Sequence, residues 1–288
     1  GDVYKRQGEL FEYRHLIEEP ALDWIINSLA QGSKVAFDPR MHTAAWLKGA
    51  QAKLADKVEL TTLAANPIDE LWSDRPEPVV SDVRLMTTDA VGQSSESKRA
   101  EIASLLKAKG ADAAILTELD SICWLLNIRG LDVSRLPVVL SNAIIHADES
   151  VDFFLDPARI PAGFEAHVGN GIRVSHPSEL EARLKSLEGK NVSVDSGTSN
   201  AWYTLVLQNA GAHIIEAGDP CLMPKAAKNE TEVAGMKACH IRDGVAMAKF
   251  LSWIDAEVAQ GNLHNEAVLA DKVPVSYTHL TLPTTPVV

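Results

Sequence analysis

The chain has 288 residues, with 27 Lys and Arg against 39 Asp and Glu, a formal net charge of −12 and 46% apolar residues. That balance suits a folded globular chain of roughly two domains and excludes collagen, coiled coil and wholesale disorder. No run approaches the ~18 consecutive apolar residues of a membrane span, and an acidic chain without a basic stripe is ill suited to the phosphates of nucleic acid.

In chain order, Lys34–Asp38 reads as a short buried strand, Thr43–Ala55 as a helix and Val58–Thr62 as a second strand. Glu77–Val83 is a Pro-bearing link. Ser97–Lys109 places Ile102, Leu105 and Leu106 on one helical face, with Gly110 positioned to stop the helix. Ala113–Thr117 is predicted as a strand, Asp120–Asn127 as a helix, and Val138–Ile145 and Val151–Leu155 as strands around a polar turn. Gly169-Asn-Gly171 has neither the third glycine nor the following helix of a phosphate loop, and is a turn. Ser178–Leu187 (helix), Val192–Asp195 (strand), Thr198–Ala210 (helix) and His213–Glu216 (strand) continue the alternation. Alternation of this kind builds a layered α/β domain with helices over a sheet. Beyond the basic link Lys225–Lys228 the texture changes. Asn229 and Glu232 form a capping box before a long apolar-periodic helix that Gly261-Asn262 ends.

A weak repeat runs through this pattern. Lys34-Val-Ala-Phe-Asp38 with Ala44-Ala-Trp46 echoes Asn191-Val-Ser-Val-Asp195 with Asn200-Ala-Trp202, and each copy proceeds to an Asn-Pro or Asp-Pro step, Asn66-Pro67 and Asp219-Pro220. Two copies of one α/β unit, or the resemblance common to any strand–helix–strand unit, both account for it. Asp38 and Asp195 are expected to cap the helices that follow them.

Candidate chemistry is sparse. There is no Gly-x-Ser-x-Gly elbow and no His-Glu-x-x-His helix. Ser196–Ser199 suggests either an anion cradle or, more simply, a helix cap, and His146, Asp148 and Glu149 suit a solvated turn better than a metal site. Cys239-His240 are neighbours on a helix, where adjacent side chains diverge, so ligation is disfavoured. The three cysteines, Cys123, Cys221 and Cys239, form neither a disulfide framework nor a metal knuckle and point to a reducing, cytoplasmic compartment. Densest in unexplained polar residues is the segment Ile122–Asp132, which sets Asn127, Arg129 and Asp132 directly after an apolar helix. Polar groups at the end of a packed element are well placed to face a ligand; an Arg129–Asp132 surface pair is the plainer reading.

The ends read differently from the body. Asp2–Gln7 can be encoded by GATGTGTATAAGAGACAG, and the reverse complement of that DNA, in another frame, gives the run Val275–Leu280. The match resembles read-through of a transposon-library adapter. Gly1–Gln7 and residues 274–288 are therefore expected to be adapter-derived. Removing Gly1–Gln7 takes away one acid and two bases and moves the net charge to −13, so the acidity belongs to the body.

Trp124-Leu-Leu-Asn-Ile-Arg-Gly-Leu-Asp132, Phe154-Leu-Asp-Pro157, Val194-Asp-Ser196 and the run Lys228–Gly244 resemble the long, three-domain Xaa-Pro aminopeptidases. Leu10–Ile17 and Phe37-Asp-Pro39 are similar to that family's first domain. The resemblance spans Gly8–Val273 and extends, through shared architecture, to creatinase and prolidase. It implies an α/β chain of two successive creatinase/prolidase N-terminal-type domains, each a mixed sheet flanked by helices, the first truncated. The opening helix of a pita-bread α+β catalytic domain follows. The implied boundaries are 8–83, 84–217 and 218–273. For the full-length parent it implies release of the N-terminal residue preceding proline from a peptide substrate. It also implies two Mn²⁺ or similar divalent ions held by Asp, His and Glu, and a homodimer. Hard oxygen ligands suit Mn²⁺, and paired ions activate water against a peptide carbonyl. No residue present matches a ligand motif, so no catalytic or metal residue is carried over and the chain is expected to be inactive. The segment Asn127–Asp132 resembles the part of the middle domain that approaches the active site, which makes Arg129 and Asp132 candidate substrate-cleft-edge residues. The alternatives are a fragment of a creatinase- or prolidase-like C–N hydrolase, or a non-catalytic α/β ligand-binding module.

Overall fold

The computed structural model describes residues 13–278, the side chains of 275–278 excepted. Its first elements are α1 (Ala21–Ser28), β1 (Ser33–Phe37), α2 (Ala44–Leu54), β2 (Val58–Thr62) and α3 (Pro67–Leu71). Next come β3 (Arg84–Leu85), α4 (Thr88–Val91), α5 (Ser95–Ala108), β4 (Ala113–Leu116), α6 (Leu119–Leu125) and β5 (Ile128–Arg129). They are followed by β6 (Asn142–His146), β7 (Val151–Phe154), α7 (Phe164–Val168), β8 (Ile172–Ser175) and α8 (Leu180–Lys185). The remainder are β9 (Asn191–Val194), α9 (Ala201–Asn209), β10 (His213–Glu216), α10 (Leu222–Ala226), α11 (Glu230–Ala259) and α12 (Glu266–Thr278). They fall into two compact units. One comprises residues up to Leu85 with Ser95–Lys225; the other comprises Met86–Ser94 with residues from Ala226 on.

The first unit is built on a six-stranded mixed sheet in the order β10-β9-β4-β6-β7-β8. The pairs β10–β9, β9–β4 and β7–β8 are parallel, whereas β4–β6 and β6–β7 are antiparallel. Successive strand residues face opposite sides, and here both sides are covered. Ala114, Leu116, Ala143, Ile145 and Phe153 join one core with Ile102, Leu106, Ile122 and Leu125. Their strand neighbours Ala113, Ile115, Ile144 and Phe154 join the other with Leu184, Val192 and Leu207. Two-sided burial explains why these strands read as unbroken apolar runs. Phe153 and Phe154 are both fully buried, each contributing about 1.5–3 kcal/mol of burial free energy.

Local signals act as the sequence suggests at several termini. Gly110 has φ 69°, and the N–H groups of Gly110 and Ala111 donate to the carbonyls of Lys107 and Leu106. That is a Schellman stop for α5, which glycine occupies without Cβ strain. The same two bonds end α9 at Gly211.

A parallel pair, β1–β2, is joined to the large sheet by an exchange of helix-end hydrogen bonds. The N–H groups of Ala44 and Ala45, opening α2, donate to the carbonyls of Ser199 and Ser196. In return, Ala201 and Trp202, opening α9, donate to His42 and Pro39. Each loop thus satisfies the orphan donors of the other's helix, and Thr43 bridges Asn200 at the centre. Asp38 and Asp195 hold equivalent places. One oxygen accepts the N–H two residues on, Arg40 or Gly197. The other ties to the end of the next strand, through Asn66 Nδ2 or the N–H of Asp219. Both are therefore turn formers rather than the helix caps expected.

Two predicted boundaries are also corrected. Backbone 138–141 runs outside the sheet, so the strand expected over Val138–Ile145 begins only at Asn142. Ser178–Leu187 starts with a 3₁₀ turn, Pro177–Glu179, capped by His176. Helices α1, α3, α4, α7, α10 and α12 and strands β3, β5 and β8 have no counterpart among the predicted elements. Of the segments expected to be adapter-derived, Gly1–Gln7 lies outside the described residues, and of residues 274–288 only 274–278 are described, within α12.

In the second unit the capping box forms as expected. Asn229 Oδ1 accepts the N–H of Glu232 at 2.9 Å, and Glu232 accepts that of Asn229 at 3.0 Å. Asn229 Nδ2 also donates to the carbonyl of Val91 in α4. Gly261 ends α11 (φ 81°), and Trp253 stacks on His264 near α12. Met236, Ile241, Leu251 and Val258 of α11 are exposed. Among the described residues no helix is long and apolar enough to cross a membrane.

Candidate functional site

Beyond α6 the chain turns sharply at Asn127, a non-glycine residue at φ 52°. Such a conformation is held only where the surroundings over-determine it. Lys98, itself buried, donates to Asn127 Oδ1 at 2.7 Å and to the carbonyl of Trp124, with its ammonium 4.5 Å from the Trp124 ring centre. His167 Nε2 meets the Asn127 carbonyl at 2.9 Å. The turn delivers Ile128 and Arg129 into β5, which pairs antiparallel with β3.

At Gly130 the backbone passes close to its neighbours. An added Cβ would lie 2.7 Å from Val139 Cγ2 and 3.0 Å from the carbonyl of Val138. Only glycine fits that approach.

Asp132 is enclosed, its side chain 0% exposed. Oδ1 accepts the N–H and hydroxyl of Ser81 at 2.7 and 2.9 Å, and Oδ2 accepts the N–H of Leu140 at 2.7 Å. Arg159 Nη2 donates to both oxygens at 2.7 and 2.6 Å, and Arg159 Nε donates to the carbonyl of Ser81. Burial pushes the Asp132 carboxyl up. The bonds from Arg159, Leu140 and Ser81 outweigh burial and hold it below the usual value.

Arg129 and Asp132, candidates from sequence, thus occupy one loop but do not pair. Arg129 is half-buried, and its Nη1 donates to the carbonyls of Cys123 and Ile128 at 3.2 and 2.7 Å. Sequence reasoning missed Ser81, Lys98 and Arg159. The available signal was an arginine between Ala158 and Ile160 in an otherwise apolar stretch.

The remaining candidates separate. Asp148 closes its own turn by accepting from Ser150, whereas His146 meets buried Asp152 at 2.9 Å, alongside Arg173 and Arg183. Ser196–Ser199 does not cap α9 with a side chain; its carbonyls serve α2. Cys239 is exposed, 3.6 Å from Asp243 Oδ2. Glu118 is pushed up by burial, and nearby Asp120 and Asp219 act in the same direction. Among the described residues no three or more His, Cys, Asp or Glu side chains converge as around a metal ion.

Fold and site together define a mixed α/β domain in which the polar network around Asp132 braces a loop. A family model, the creatinase/prolidase N-terminal domain, matches residues 74–232. The chain belongs to that family. Its homologues are Xaa-Pro aminopeptidases. Xaa-Pro aminopeptidase 1 of Dictyostelium discoideum is 30% identical over 273 residues, covering 90% of this chain and 43% of that protein. Xaa-Pro aminopeptidase app-1 of Caenorhabditis elegans is 29% identical over 265 residues, covering 88% and 42%. The crystal structure of the C. elegans X-prolyl aminopeptidase, described as a cytosolic enzyme with a di-nuclear active site, superposes with TM-score 0.80 at 26% identity. It covers 94% of this chain and 44% of that one. The chain therefore spans about two-fifths of the length of the relatives it matches.

Proposed function

We infer that this chain supplies the two α/β domains, and the opening helix of the catalytic domain, of an Xaa-Pro aminopeptidase that releases the N-terminal residue preceding proline. The observation that carries this reading is the superposition on the C. elegans enzyme along 94% of the chain. The order of domains on this reading is 8–83, 84–217 and 218–273, and the cytosolic setting and peptide substrate follow from the same relatives.

The di-nuclear centre described for the C. elegans enzyme finds no fit here, since the described residues bring together no ligand set for a metal pair. No catalytic step is therefore assigned to this chain. Its part is to hold a surface. The Asp132–Arg159–Ser81 brace fixes the loop, and Arg129 stands at its edge with Nε and Nη2 unpaired among the described residues. Arg129 is then the group that meets the substrate side of the cleft. Asp132 is a positioning residue that acts through the loop.

The purified 288-residue chain, incubated with an Xaa-Pro dipeptide and Mn²⁺, should release no amino acid. Metal-dependent cleavage would overturn the assignment of the catalytic groups to another part of the protein.

A further inference from the structure

Where α2 and α9 begin, a cavity of about 350 Å³ opens within the first unit. Its location in the fold is distinctive. β9 and β4 are parallel neighbours, yet the chain leaves β9 through α9 for β10 on one side and leaves β4 for β6 on the other. Such a reversal opens a crevice at the carboxyl ends of the strands, where α/β sheets bind ligands. Thr117, directly after β4, and Thr198 and Asn200, after β9, line it.

The exchange of helix ends breaks its symmetry here. Thr43 caps α2, its hydroxyl oxygen accepting the N–H of Trp46 at 3.1 Å. Asn200 holds the equivalent position before α9 but makes no capping bond. Instead its Oδ1 is sealed from solvent without a hydrogen-bond partner. A buried carbonyl left in that state costs about 1–3 kcal/mol, and few native groups are left so.

The rest of the wall donates. The Arg40 guanidinium lies over the Trp202 ring, 3.8 Å from its centre, and His42 stacks on Trp46 at 3.8 Å. Tyr203 donates its hydroxyl to Asn142 Oδ1, which orients that amide so that Nδ2 remains to donate. Burial pushes the Tyr203 hydroxyl up to about 12, so it stays a donor. Among the described residues no Asp or Glu lines this cavity, in a chain whose net charge is −12. Glu181, the carboxylate beside Arg40, lines the adjacent cavity.

We propose that this cavity binds a small oxyanion that also carries a hydrogen-bond donor, a hydroxy-carboxylate or a hydrogen phosphate. Arg40, His42 and Asn142 Nδ2 take the oxyanion, and Asn200 Oδ1 accepts from the ligand's donor. The site is separate from the Asp132 brace and does not depend on the aminopeptidase reading.

The test is a titration of the ¹⁵N-labelled chain with glycolate, inorganic phosphate, acetate and ethanolamine at constant ionic strength. The side-chain amides of Asn142 and Asn200 and the backbone of Arg40–Thr43 are followed. Glycolate or phosphate should move these signals saturably, and whichever binds tighter identifies the source as carboxylate or phosphate. Acetate, lacking the donor, should bind at least fivefold more weakly than glycolate where glycolate is the ligand. Arg40→Gln, at an exposed position, should weaken binding at least tenfold, and Asn200→Leu should abolish the preference for a ligand with a donor. No saturable shift with either anion, equal shifts with ethanolamine, or unchanged affinity in Arg40→Gln would overturn the proposal.

Discussion

Asp132 shows how a residue that looks like a surface partner in sequence becomes a buried anchor in the fold. It follows Arg129 by three positions, which suggested a pair, but its cation is Arg159, and Ser81 joins from upstream. That choice is made by the fold, since Gly130 lets the backbone press against Val139 and Ser81, and Asp132 then accepts from Ser81, Leu140 and Arg159. No local pattern announces a partner 27 residues away, so only the polar density of the segment was legible. Removing one member of a buried pair costs about 3–5 kcal/mol because the other is left uncompensated. Asp132→Asn should accordingly lower the unfolding free energy by about 3 kcal/mol in urea at pH 7, as measured by circular dichroism. The pH dependence follows from the lowered carboxyl. A group whose folded value is depressed stabilises fully above its unfolded value of about 4, and the contribution fades as pH falls through the folded value. The wild-type chain should lose stability across that acid window, and Asp132→Asn should show a flatter acid limb. Equal acid limbs would remove Asp132 from the account.

Among elements, those with local signals were readable and those set by distant partners were not. α2 carries its own cap in Thr43, α5 its stop in Gly110, and α11 both halves of its capping box. By contrast, the segment before β6 looks like strand because Val138 and Val139 are apolar and buried. The N–H of Leu140 is nevertheless drawn to Asp132 and leaves the ladder. Four-residue β8 follows a glycine turn and finds its partner only in β7. The echo of Lys34–Trp46 in Asn191–Trp202 was visible as residues, and in the structure the loops that open α2 and α9 exchange helix-end hydrogen bonds. That exchange makes an asymmetric prediction. Thr43→Ala removes a cap and should cost about 1 kcal/mol. Asn200→Ala removes a buried acceptor that has no partner and whose burial costs about 1–3 kcal/mol, so it should leave stability unchanged or raise it. Thermal melts of the two variants compare them directly, and equal losses would mean that Asn200 is bonded to its helix after all.

At the scale of the molecule, composition offered no chemistry, and the structure explains why. Asp132 and Arg159 are spent on bracing, and Asp38, Asp148 and Asp195 on turns, while the described residues gather no metal ligands. Resemblance carried the family assignment, and the match to residues 74–232 together with the superposition along 94% of the chain supports it. On this account the chain supports catalysis by shaping and positioning. The most direct measurement is to exchange this chain for the matching segment of Xaa-Pro aminopeptidase 1 of Dictyostelium discoideum and assay release of the N-terminal residue from an Xaa-Pro peptide. The account predicts that the chimera retains release and that Asp132→Asn within it lowers the rate. A folded, metal-loaded chimera that releases nothing would contradict it.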